Sequence, residues 1–119
     1  MKFLALFFFL FLISCDRFGD NNLELLLGKW ELKQAFRNER PTESLDDLYM
    51  EFFENGQLKT NLMGTEEMYE FDYEKGKVIQ KSIHIEPVTY TIESISDSSL
   101  ILITSLKNYN FRFVMNKSS

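Results

Sequence analysis

Three patterns follow one another along the chain: an unbroken apolar run, a short polar stretch, and a long region where apolar and polar residues alternate. The apolar run covers residues 3–13 and the polar stretch residues 15–22 (CDRFGDNN). Residues 23–27 (LELLL), preceded by Asp20, Asn21 and Asn22, predict one short helical turn with an N-cap, and Gly28 ends it. From there turn residues recur about every eight to twelve positions, the spacing of an all-β sandwich or barrel. Strands are predicted over residues 29–36, 48–54, 57–62, 68–74, 77–85, 88–94, 99–106 and 108–115. Asn55-Gly56 is the strongest hairpin signal between them. Lys75-Gly76 is a weaker one, and Asp97 supplies turn chemistry within residues 95–98. A polar loop, residues 37–47, is broken by Pro41. No connection holds a helical crossover, so the strands should run up and down, each antiparallel to the next.

Alternation is cleanest in two places. Tyr69, Phe71 and Tyr73 share one face, and Tyr109, Phe111, Phe113 and Met115 another, opposite Asn110, Arg112 and Val114. Such strands are half-buried. Trp30 and Leu32 share a face of the first strand. Residues 100–103 (LILI) are apolar on both faces, so either the 23–27 turn or a partner protein should cover the outer side.

The apolar run is too short to span a membrane, which takes about 20 such residues, and it follows a cationic Lys2. Leu12-Ile13-Ser14-Cys15 then resembles the lipobox of bacterial lipoproteins, with the chain's single cysteine at the cleavage point. The resemblance implies a signal peptide over residues 1–14, lipidation of Cys15, a tether over residues 15–22 and one domain over residues 23–117. It places the protein in a bacterial envelope. The expected site is the outer membrane, facing the periplasm or the cell surface.

Removing residues 1–14 from the 119 leaves 105, enough for one domain. With Cys15 consumed, that domain must hold together without a disulfide. Without Lys2 the mature chain carries 12 Lys and Arg against 18 Asp and Glu, a net charge of −6. This balance lacks the basic footprint of a nucleic-acid binder. It also argues against recruitment by anionic headgroups, leaving acyl chains as the membrane contact.

Leu27-Gly28-Lys29-Trp30-Glu31-Leu32 resembles the G-x-W opening of lipocalin-like barrels. The preceding turn, the meander and the closing Phe111-Arg112-Phe113 strand are similar to the small lipocalin-like domains of envelope lipoproteins. The resemblance implies a small antiparallel up-and-down eight-stranded barrel. It implies Trp30 at the closed end beneath an arginine of the last strand, for which Arg112 is the candidate; the alternative leaves Arg112 solvated on the outer face. It also implies a small apolar or amphipathic ligand. The strands are shorter than those of lipocalins with an open cup, and bulky aromatics lie among the inward candidates, so the alternative is a barrel filled by its own side chains. In that case the module is structural or binds an envelope protein, an inhibitor-type role included. Candidate contacts are Tyr49, Phe52, Phe53, Tyr69, Tyr90 and Phe111, and the 37–47 loop is the longest place to carry them.

Catalytic chemistry lacks carriers. His84 is the single histidine, no G-x-S-x-G elbow is present, and the scattered glycines form no phosphate loop. Asp46-Asp47 and Glu66-Glu67, followed by Glu51 and Glu70, lack the spacing of a glycosidase pair or a calcium loop. One histidine and no free thiol leave no transition-metal cluster. The expectation is a protein without enzymatic activity, metal or cofactor.

Overall fold

Alternation becomes strand in nine places in the computed structural model, which describes residues 23–82 and 86–118. These are β1 Gly28–Arg37, β2 Arg40–Thr42, β3 Tyr49–Phe52, β4 Gln57–Thr60, β5 Glu67–Glu74, β6 Lys77–Lys81, β7 Val88–Ile95, β8 Ser99–Leu106 and β9 Tyr109–Lys117. Residues 23–26 form one helical turn before β1. The signal segment, Cys15, the tether and His84 lie outside the described residues.

Each strand pairs antiparallel with its neighbour, and β9 returns to β1, so β1 and β3–β9 close an eight-stranded barrel. The lower half of β1 pairs with β3, from Gly28↔Phe52 to Glu31↔Tyr49. Its upper half pairs instead with β2, from Ala35↔Thr42 to Arg37↔Arg40. Thus β2, inside the segment expected to be loop, is a short flap on the barrel wall. Pro41 is tolerated there because the strand is terminal in the sheet and owes no N–H to a further neighbour.

The turns explain where the strands reverse. Asn38-Glu39, Lys75-Gly76 and Lys107-Asn108 each place two residues at positive φ between paired strands, the two-residue geometry that matches strand twist. Asn55-Gly56 works differently. The Phe53 N–H donates to the Gln57 carbonyl and the Gly56 N–H to the Phe53 carbonyl, and only Gly56 has positive φ (85°). The hairpin therefore turns through three residues, with Gly56 as the left-handed third.

Two bulges set which way side chains point. The β1–β9 register shifts between Leu32 and Gln34, and the β7–β8 register between Ile92 and Ser94. A single extra residue exchanges the faces of everything beyond it. In β1, Trp30 and Leu32 face inward below the bulge, and Ala35 and Arg37 take that face above it. Cross-strand pairing supports this: Ala35 opposes the buried Phe113, and Phe36 opposes Arg112.

The inward faces meet in one core. Trp30, Tyr90, Phe52 and Phe113 are its largest fully buried side chains, with Met50, Leu58, Leu100, Leu102 and Met115 around them. Phe52 meets Phe71 edge-on, with ring centroids 5.2 Å apart. Leu26 of the helical turn is fully buried in the same cluster, so the turn plugs the Trp30 end. It does not blanket the outer side of β8, where Ile103 stays 38% exposed. Among the described residues the sheet closes on itself around one core, as in a unit that folds by itself.

Candidate functional site

The closed end fixes which end is left for contact. Trp30 donates its indole N–H to the Leu26 carbonyl at 2.8 Å. Lys117 places its ammonium 4.6 Å from the indole centroid, donating to the carbonyls of Leu25 (3.3 Å) and Leu27. Trp30 and Lys117 are direct cross-strand partners. The cation over the tryptophan is therefore Lys117 and not Arg112. The reason is parity: Lys117 shares the face of Phe113 and Met115, whereas Arg112 points outward. Arg112 lies 5.8 Å from the Phe36 ring and forms a two-pronged ion pair with Glu93, at 2.8 and 3.0 Å. Gly28 has φ 116°, and a Cβ there would meet Lys117 Cε at 2.7 Å. The glycine is needed for both reasons.

The candidate contact residues do not converge. Phe52, Tyr69 and Tyr90 are buried in the barrel. Tyr90 donates its hydroxyl to Gln80 Oε1 at 2.7 Å, while Gln80 Nε2 is buried with no hydrogen-bond partner among the described residues. Burial drives the Tyr90 phenol well above its ordinary value. Desolvation and then a hydrogen bond to Glu67 (2.8 Å) push Tyr69 up to about 12. Tyr49 is half-buried on the outside of β3, bonded to Glu66, with Lys29 5.0 Å from its ring. Desolvation, then Glu66, raises Tyr49 to about 12, and that hydrogen bond holds Glu66 below its ordinary value. Phe53 belongs to the β3–β4 turn at the closed end. Phe111 alone of the six lines the larger of two grooves at the open end.

The open end carries two adjoining grooves at the β2–β1–β9–β8 corner. The larger, about 720 Å³, lies against the outer wall and is lined by Phe36, Glu93, Ile103, Phe111 and Arg112, among others. The smaller, about 520 Å³, is lined by Arg37, Asn38, Arg40, Pro41, Thr42 and Tyr109. They share Asn38, whose side chain accepts the Asn110 N–H at 2.9 Å and so ties the β1–β2 turn to β9. Beside them an aromatic ladder rises out of the core. Phe113 is fully buried, Phe111 stacks on it at 5.8 Å, and Tyr109 meets Phe111 at 6.4 Å with 44% of its own surface exposed. Reading the sequence for aromatics missed Arg37, Arg40 and Phe36, which the β1 bulge and the β2 flap bring here. The available signal was that all arginines beyond Arg17 fall in two short segments, 37–40 and 112.

Among the described residues no group of three or more His, Cys, Asp or Glu is placed to hold a metal ion. No protein-family model and no curated protein matches the chain. Solved structures do. A lipocalin-like protein from Bacteroides uniformis superposes with a TM-score of 0.58 at 18% identity, covering 79% of this chain and 99% of its own. The fold is lipocalin-like. An uncharacterized protein from Bacteroides eggerthii gives a TM-score of 0.54 at 13% identity, with 78% and 99% covered. At these identities the likeness concerns the backbone. The lipocalin-like barrel here combines a plugged base, an interior occupied by its own aromatics, and grooves outside and above it.

Proposed function

We propose that this chain is a lipid-anchored envelope lipoprotein whose lipocalin-like barrel is a non-enzymatic binding module. Its ligand is a small amphipathic molecule held at the rim corner, not in a deep internal cup. One observation carries the reading. Trp30, Phe52, Tyr90 and Phe113 fill the barrel with 2% exposure or less, whereas the larger rim groove, about 720 Å³, lies outside them. That volume falls within the range of small-molecule sites, and its mixture of Phe36, Ile103 and Phe111 with Arg112 and Glu93 suits a ligand with apolar and polar parts.

Native mass spectrometry of residues 16–119 purified from an envelope extract tests the binding half. The expected result is a bound small molecule that is lost on Ile103→Asp. A molecule retained in that variant but lost when the interior is altered, as in Tyr90→Phe, would return the site to the barrel. Anchoring is tested separately. Cys15→Ala should move the protein from the membrane to the soluble fraction, and firm membrane association of that variant would end the lipoprotein reading.

A further inference from the structure

Arginine is sparse in this acidic chain, yet its placement is concentrated. Three of the four arginines, Arg37, Arg40 and Arg112, lie at the one rim corner. Arg112 is neutralised by Glu93. Arg37 and Arg40 are different. They are cross-strand partners flanking the two-residue turn, so their side chains leave the same face. Both are exposed, and neither has an ion pair among the described residues, although Glu39 sits between them in the chain. Both line the 520 Å³ groove, and Arg37 lies 5.2 Å from the Tyr109 ring.

We infer that this groove binds the negative group of a small aromatic or otherwise flat anion. Arg37 and Arg40 clamp a carboxylate, sulfate or phosphate between two guanidinium forks, which match such oxyanions in geometry as well as charge. Tyr109, with Arg37 over its ring, supplies an aromatic wall for the body of the ligand, and Thr42 adds a hydroxyl to the wall. Two adjacent uncompensated cations in a chain of net charge −5 repel each other, and an oxyanion relieves that repulsion. The inference rests on the rim reading above and specifies the chemistry of its ligand.

The ligand comes from solution, not from the bilayer that anchors the protein. The chain enters the barrel at the Trp30 end, and β1 then runs ten residues to Arg37, about 30 Å along the strand. The rim thus lies at the end of the barrel opposite the one where the chain enters.

A matched pair of fluorescent probes tests this on residues 16–119. One is 8-anilino-1-naphthalenesulfonate; the other is its neutral parent N-phenyl-1-naphthylamine, which lacks the sulfonate. The sulfonate should bind at one site at least tenfold more tightly than the parent and weaken with added salt. Arg37→Gln with Arg40→Gln should reduce it to the level of the parent and leave the parent unchanged. Lys75→Gln with Lys77→Gln, which removes two cations at the closed end, should change neither. Equal affinity for the two probes would overturn the anion inference and leave the amphipathic rim site standing. Binding of neither would overturn both. Flotation on phosphatidylglycerol vesicles, abolished by the Arg37/Arg40 double variant and absent on phosphatidylcholine, would reassign the groove to a lipid headgroup and overturn a soluble ligand.

Discussion

Lys117 and Arg112 are both cations on the last strand, five residues apart, and they do opposite jobs. Lys117 is aimed under the barrel, where it covers Trp30 and satisfies two carbonyls of the helical turn. Removing it loses a partly desolvated cation–π contact together with those hydrogen bonds. Lys117→Met should cost about 1–3 kcal/mol in urea unfolding. Arg112→Met breaks an exposed ion pair and should cost no more than about 1 kcal/mol. The reverse order would put the wrong cation on the tryptophan. Trp30→Ala removes the largest fully buried side chain and should cost about 3–5 kcal/mol by the same measurement. The choice between the two cations was legible without a structure. Phe111, Phe113 and Met115 alternate with Arg112, so Arg112 could not share their face, and parity leads to Lys117.

At the scale of the element, the strands were legible and the details of their turns were not. The 99–106 strand is matched at both ends, six others differ by a few residues at their termini, and the expected 77–85 strand, seen as Lys77–Lys81, ends outside the described residues. Polar residues and Pro41 hid β2, because a three-residue strand that buries little has no apolar pattern to display. The β1–β2 turn places Glu39 at φ 71°, a left-handed conformation that costs a side chain such as Glu about 1 kcal/mol or more. Glu39→Gly should therefore raise the unfolding free energy, by up to about 1 kcal/mol after the added freedom of the unfolded glycine is deducted. Glu39→Val should lower it. Asn38 is the wrong place for the same change, since its side chain holds the Asn110 N–H.

For the whole molecule, filling the barrel with tyrosines as well as apolar side chains ties stability to alkaline pH. Tyr69 is raised to about 12 and Tyr90 is raised further, both chiefly by desolvation, while an unfolded tyrosine ionises near 10. Above pH 10 the unfolded chain gives up these protons and the folded one keeps them. The native state then binds more protons, so stability is intact below pH 10 and falls as pH rises from 10 through 12. In an absorbance titration at 295 nm, Tyr69 and Tyr90 should ionise only together with loss of the barrel signal in circular dichroism. Full ionisation of all five tyrosines near pH 10 with the fold intact would contradict the packed interior.

Periodicity alone determined the class of fold and its order. Alternating apolar positions, turn residues at regular spacing and the absence of crossovers leave an antiparallel meander, and Gly28 and Trp30 mark its base. These are local properties, written in the identities of neighbouring residues. The rim was decided only in three dimensions. A bulge at Lys33 adds one residue to β1 relative to β9. By strict alternation Phe36 would follow Trp30 and Leu32 into the core, and Arg37 would point out. The shift sends Phe36 to the outer groove beside Arg112 and turns Arg37 onto the face of Arg40 and Tyr109. No residue at the bulge announces it, because register is a relation between two strands distant in sequence, fixed by what their other residues bury.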